Sequence, residues 1–300
     1  MVDVLCFGNL QCDVLCRTVD AWPVPGELRM VGGIDVALSG NGGNVASALA
    51  RLGVPVELAG YSGADAVGEG FRATLSALGV GLDKLGRHST ASTGISCIAV
   101  APSGERSIVF VNGANALFDL DAVPDTWFAG VRVVSLSAVF LLPQFTGEAI
   151  ARLFARAHAC GAVTLLNTAW DADGRGLRFL GPALALVDYL IANRDEGRQL
   201  TGLMTAEAIV GALGAHTGGV IIVTLGADGC LIRAETGELQ YVPAVDVVAV
   251  DSTGAGDAFV AGFIAGLHEG RSTSRLRSSG LPRCGLCSDR PWGVPAHPAT

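Results

Sequence analysis

Short apolar runs of strand character alternate along this chain with Ala/Leu-rich runs of helical character, and no other feature restricts its fold as much. The strand-like runs are residues 2–7, 56–61, 131–136, 163–166, 186–191 and 220–225. The helical runs 44–52, 71–78 and 147–159 fall between them. A strand that is apolar at successive positions is buried on both faces, and helical crossovers between such strands make a mainly parallel sheet. An α/β layer fold is therefore predicted. Two stretches break the rhythm. Residues 12–19 and 28–38 are extended and β-rich around the turn Trp22-Pro23-Val24-Pro25-Gly26, and residues 94–100 and 107–111 read as a hairpin. Four extra strands in two places predict a small β-sheet folded over one end of the main domain.

Three hundred residues, half of them apolar, suit one large domain with a sizeable core. No run reaches the roughly 20 apolar residues of a membrane span. The N-terminus carries Asp3 and no basic region, so it reads as a first core strand and not as a secretory signal. A net charge of −8, with no basic cluster before the last 30 residues, argues against a nucleic-acid partner. Cys6 and Cys97 lie in apolar strand-like runs, which predicts buried, reduced thiols in a cytoplasmic protein. Cys284-Gly285-Leu286-Cys287 has no second pair or histidine cluster to complete a zinc site.

The chemistry concentrates in Asp251-Ser252-Thr253-Gly254-Ala255-Gly256-Asp257, which an apolar helical run follows at once. A strand-like run, residues 241–250, leads into it. Gly254, Ala255 and Gly256 let backbone N–H groups crowd around a guest where the helix offers its positive end, which makes an anion hole. Asp257 follows at the helix's first turn. It can serve as a capping acid, or as a base that takes a proton from a hydroxyl attacking a phosphoryl group.

This heptad resembles the second signature of the ribokinase-like (PfkB) carbohydrate kinases. The resemblance implies a ribokinase-like three-layer sandwich with a mainly parallel sheet and a small β-sheet lid. It implies that Asp257 is the catalytic base and that the Gly254-Ala255-Gly256 backbone holds the charge of the transferred phosphoryl group. It also implies ATP and Mg²⁺ as partners of the reaction, a K⁺ site using Asp251, and a lid that covers the sugar and pairs two copies as a homodimer.

Other motifs follow in the family's order. Ser39-Gly40-Asn41-Gly42-Gly43-Asn44 is a glycine turn before a helix, with Asn44 either capping that helix or bonding a hydroxyl. It resembles the family's Gly-Gly-x-Gly-x-Asn sugar-binding turn, with Ser39 for the first glycine and Asn41 where ribokinases proper commonly carry Lys. On that resemblance Gly40, Gly42, Gly43 and Asn44 bind substrate. Asp13, in the turn Gly8-Asn9-Leu10-Gln11-Cys12-Asp13, is either a solvated cap or, as the resemblance implies, an acceptor for two sugar hydroxyls.

Asn193-Arg194-Asp195-Glu196 opens a helix with a capping Asn and first-turn acids. It also matches the family's Asn-x-x-Glu motif, which implies that Glu196 and Asn193 organise Mg²⁺ through water and phosphate. Residues 223–230 read as strand, turn and strand. In the family this is a nucleotide-site turn, which implies phosphate or ribose contacts from Thr224 and Gly226 and a backbone role for Gly229. Asn112, at the exit of the lid hairpin, is a further substrate-contact candidate.

The resemblance runs from about residue 2 to 270, so residues 1–270 are expected to form the kinase domain, with lid segments at about 12–38 and 94–112. Residues 271–300 lose all periodicity. A shifted reading frame is one explanation, since dropping one nucleotide lets GC-rich codons for Arg283 to Gly293 read Ala-Val-Ala-Cys-Ala-Ala-Thr-Val-Pro-Gly-Ala. A divergent, disordered tail is the other. On either reading, one wall of the nucleotide pocket is expected to be missing.

The sequence thus points to an ATP-dependent kinase of a sugar or sugar-like hydroxyl. Two rivals stay open: a nucleoside kinase on the same fold, and a sugar-binding kinase relic without turnover. A dinucleotide oxidoreductase fits poorly, because no GxGxxG follows the first strand.

Overall fold

The computed structural model describes residues 2–17, 19, 22–103, 106–245 and 254–270. The chain opens with β1 (Val4–Phe7), β2 (Gln11–Arg17) and β3 (Gly33–Ser39), which leads directly into α1 (Asn41–Arg51). Next come β4 (Val56–Gly63), α2 (Ala66–Ala77) and β5 (Leu85–His88). A hairpin follows, β6 (Gly94–Val100) and β7 (Arg106–Val111). The chain then returns through β8 (Val133–Ser137), α3 (Gly147–Ala159), β9 (Val163–Asn167) and α4 (Gly176–Leu184). Beyond these lie β10 (Tyr189–Asn193), α5 (Arg194–Thr201), α6 (Ala206–Gly214) and β11 (Val220–Thr224). Finally β12 (Cys230–Arg233) and β13 (Leu239–Val242) precede α7 (Ala255–His268).

Among the described residues these strands form a nine-stranded sheet, in the order β13-β12-β11-β10-β9-β8-β1-β4-β5, and a four-stranded sheet, β3-β2-β6-β7. The large sheet is parallel from β5 to β11, with β12 and β13 antiparallel at its edge. Alternation along β1 shows why it must be covered twice. Leu5 and Phe7 enter one core, with residues of α3 to α6 such as Leu153, Leu184, Leu200 and Ile209. Val4 and Cys6 enter the other, with Leu49 of α1, Phe71 of α2 and Phe263 of α7. Burying both faces of a central strand against helices makes the fold a three-layer α/β sandwich.

The four-stranded sheet is the lid expected from the two β-rich interruptions. Its strand β2 follows the carboxyl end of β1 at once, and β3 delivers the chain to the first turn of α1. Asn115, after β7, ties the lid to this edge by accepting from Leu10 N at 2.9 Å and donating to Leu10 O at 2.8 Å.

Several expectations are corrected. The second lid strand begins at Gly33 instead of residue 28. Of the strand expected over 241–250, the described part is in Leu239–Val242, after which residues 243–245 leave it. Residues 246–250 and the tail 271–300, with its frame question, lie outside the described residues. Cys97, expected to be buried, is exposed, because that position of β6 faces outward from the lid. Among the described residues, no helix is long and apolar enough to cross a membrane.

Candidate active site

The site forms at the carboxyl ends of the parallel strands, where three helix N-termini converge. The first belongs to α7. Its N-cap is Gly254, in the left-handed region at φ 77°, and among the described residues no side chain caps it. A helix leaves its first N–H groups without intrahelical acceptors, so this turn presents Ala255 and Gly256 amides beside a positive dipole end. Asp257 is the third residue of the helix and only 6% exposed. Its carboxylate does not cap α7. Both oxygens instead reach across to α1, where Asn41 Nδ2 donates to Oδ1 at 2.9 Å and Asn44 Nδ2 donates to Oδ2 at 2.8 Å.

The N-terminus of α1 is fixed for this contact. The helix begins at Asn41 and not at the expected Asn44, so Gly42 and Gly43 lie within its first turn instead of in a turn before it, and Asn44 does not cap it. Gly40 takes φ 95°, and a Cβ there would meet Asn9 O at 2.5 Å. Asn9 Oδ1 accepts from Asn41 N at 2.9 Å. Gly42 lies so close to Gly8 that a Cβ on it would fall 2.7 Å from the Gly8 Cα. These glycines let the helix sit directly on the end of β1.

Burial pushes the Asp257 carboxyl up to about 6, against the pull of the Asn44 and Asn41 bonds. Desolvation disfavours the charged form, while donated hydrogen bonds favour it. The result is a carboxylate poised near neutrality, which suits a group that must accept a proton.

The third N-terminus is that of α5. Asn193 caps it, with Oδ1 accepting from Glu196 N at 2.8 Å, while Glu196 Oε2 accepts from Asn193 N at 3.1 Å. This reciprocal capping box is the structural role foreseen for the motif. Glu196 has a second partner, Thr168 Oγ1 at 2.8 Å, which sequence reasoning missed. Burial raises the Glu196 carboxyl, the Asn193 and Thr168 bonds oppose the rise, and the charge of Asp257 adds to it. The carboxylates of α5 and α7 therefore share one electrostatic neighbourhood.

Thr224, the last residue of β11, is in parallel register with Asn193, the last of β10. The turn after it holds Gly226 at φ 65° and Gly229 at φ 94°. A Cβ on Gly229 would lie 2.0 Å from Val242 O, so its role is to pass the chain beneath β13. Asp251, with Ser252 and Thr253, lies outside the described residues.

Asp13 is not in a polar turn; it is the third residue of β2. Its Oδ1 accepts from Ser96 Oγ of β6. Burial raises its carboxyl, while bonds from Ser96 and Ser39 and the charge of Arg106 lower it. Ser39 stands two residues before Asn41, so Asp13 and Asp257 are tied to the two ends of one short turn. Two neighbouring amides have unused polar atoms. Among the described residues Gln11, 5% exposed, has no partner for either amide atom, and Asn112 donates to Leu141 O at 2.6 Å while its buried Oδ1 has none. Asn112 was a sequence candidate. Gln11 was missed, although its place two residues before Asp13 on one strand puts both on the same face.

No cluster of three or more His, Cys, Asp or Glu that could hold a metal occurs among the described residues. Glu196 nevertheless offers a half-buried, oriented oxygen of the hard type that Mg²⁺ takes, which fits an ion held mainly through water and phosphate.

Residues 1–277 match the model of the pfkB family carbohydrate kinases. The chain belongs to this family. A pfkB carbohydrate kinase is an ATP-dependent phosphotransferase with an alcohol group as acceptor, and this chain is one. It is 29% identical over 270 residues to a ribokinase of Haemophilus influenzae, covering 88% of this chain and 85% of that protein. It is 33% identical over 269 residues to an ATP-dependent ribose-1-phosphate kinase of Halopiger xanaduensis, covering 88% and 84%. The ribokinase structure from Cryptococcus neoformans var. grubii in complex with ADP superimposes with a TM-score of 0.79 at 26% identity, covering 97% of this chain and 96% of that one.

Proposed function

We propose that this pfkB kinase phosphorylates a hydroxyl of a neutral sugar of pentose size or near it, and that Asp257 is the base. The observation that carries this reading is the Asp257 carboxylate, buried beside the uncapped N-terminus of α7 and linked through Asn41 and Ser39 to Asp13. The ribokinase relatives support the sugar. Asp13, the Gln11 amide and Asn112 Oδ1 provide acceptors and donors for sugar hydroxyls, as do Gly40, Gly42, Gly43 and Asn44 around the first turn of α1.

In the reaction the acceptor oxygen attacks the terminal phosphorus of ATP as its proton passes to Asp257. The bond from that phosphorus to the bridging oxygen breaks, and ADP leaves. The Gly254, Ala255 and Gly256 amides would hold the charge on the transferred group, where preorganised donors act most strongly. Asn193, Thr224 and Gly226 would line the phosphates, with Gly229 shaping the turn. Mg²⁺, held by Glu196 through water and phosphate, would supply charge neutralisation. Asp251 would serve a K⁺ site.

The kinase domain would span residues 1–270, with the lid inserted and residues 271–300 apart from it. The lid edge strand β7 is exposed along its length and carries Ile108, Val109, Phe110 and Val111 toward solvent. An apolar edge of this kind fits pairing of two copies through their lids. The buried, unpaired thiols of Cys6, Cys12 and Cys230 fit a cytoplasmic setting.

The test is ADP release from ATP and Mg²⁺ across pentoses, hexoses, ribose-1-phosphate and nucleosides. Turnover confined to neutral sugars is expected. Turnover on nucleosides alone would replace the substrate assignment, and sugar binding without turnover would mark a relic.

A further inference from the structure

We propose that Asn41 is a positioning residue for phosphoryl transfer, acting with Asn44 as a clamp that holds one oxygen of the Asp257 carboxylate each and so fixes its plane before the acceptor arrives. The inference rests on Asp257 being the base. The two donors come from one helix, three residues apart, and reach an acid 216 and 213 residues later in the chain. Residues at that spacing lie on one helix face. With a donor on each oxygen, rotation of the carboxylate about its Cβ–Cγ bond breaks both bonds at once, whereas a single donor would leave it free to swing.

Asn41 is itself held. Its backbone N–H donates to the Asn9 side chain, and Asn9 is only 2% exposed. Gly40, immediately before it, adopts a conformation that side chains other than glycine rarely take. The clamp is therefore built into the junction of β1, β3 and α1. Each oxygen retains a lone pair for the acceptor hydroxyl, so the clamp and proton transfer are compatible.

The clamp also has an electrostatic consequence. Burial raises the Asp257 carboxyl and these two amides from α1 oppose the rise, while the charge of Asp257 acts in turn on the Glu196 carboxyl of α5. A neutral amide donates to the carboxylate without adding a charge where the acceptor and the phosphates must meet. Loss of either donor should make Asp257 harder to ionise, because both bonds favour the charged form.

The experiment compares wild type with Asn41→Leu, which keeps the branched shape but not the donor, and Asn41→Gln, which keeps a donor on a longer arm. Asn41→Leu should lower kcat about tenfold or more, leave both KM values within about threefold, and move the acid limb of kcat upward by about one pH unit. Asn41→Gln should recover part of each change. Thermal unfolding identifies any variant that fails to fold. In parallel, the carboxyl carbon of ¹³C-Asp-labelled protein, with Asp257 assigned from the Asp257→Asn spectrum, is titrated without substrate. Its midpoint should rise in Asn41→Leu. An unmoved midpoint with unchanged kcat in folded Asn41→Leu overturns the clamp, as does a change confined to KM. A midpoint that rises in Asn41→Leu, when the wild type phosphorylates nothing, would overturn the kinase reading and keep the clamp.

Discussion

Asn44 and Asp257 stand 213 residues apart in sequence and 2.8 Å apart in space, the amide of the first helix on the carboxylate of the last. The contact welds the acceptor-side turn to the anion-side turn. It also takes one of the two N–H donors of the Asn44 amide, which the sequence had suggested for the substrate. Removing the carboxylate's charge should therefore act on chemistry and on stability in opposite directions.

Asp257→Asn should lower kcat about a thousandfold, within the range that general bases contribute, and leave acceptor affinity nearly intact. The measurement is ADP release at saturating ATP alongside calorimetric binding of the sugar.

The pH dependence follows from the same residue. Only ionised Asp257 accepts a proton, so kcat should fall as pH drops through about 6. Stability runs the other way. A carboxyl raised in the folded state binds its proton more tightly folded than unfolded, so its contribution is lost as pH rises from about 4 through about 6. Denaturant unfolding of Asp257→Asn should show a gain of about 1–3 kcal/mol at pH 7.5 that shrinks toward pH 4.

Glu196→Gln retains the capping box, since glutamine fills that place too, and should cost little stability. Its neutral oxygen is a weaker partner for a cation shell. The Mg²⁺ concentration for half-maximal rate should rise about tenfold, read from a magnesium titration at fixed ATP. An unchanged titration would remove Glu196 from the metal role.

Glycines of the two turns should separate packing from chemistry. Gly42→Ala drives a methyl into the backbone of Gly8 and should cost about 2 kcal/mol or more, with loss of activity following loss of fold. At Gly256 a Cβ would meet nothing within 4 Å, and its φ is not positive. Gly256→Ala should keep its thermal midpoint and still lose kcat, because its methyl would crowd the phosphoryl group.

Much of the fold was legible because both faces of β1 are buried, and double burial writes continuous apolar runs into a sequence. The α3 helix and the β6 strand fall at their expected bounds because glycines or turn residues flank them. The lid's outward face was less legible. Cys97 on β6 looks like core in a linear reading, yet it is the one exposed position of that strand. In the site, glycine turns and capping signals are local and could be read. The Thr168 bond to Glu196 and the Asn41 bond to Asp257 join elements brought together only by the parallel sheet, and no spacing in the sequence announces them.

The most direct measurement is ³¹P NMR of a reaction containing ATP, Mg²⁺ and the best acceptor from the panel, with wild type and Asp257→Asn run side by side at pH 7.5. The expected result is a new sugar phosphomonoester resonance growing with ADP in the wild type and nearly absent in the variant. An equal rate of phosphomonoester formation in Asp257→Asn would contradict the assignment of Asp257 as the base.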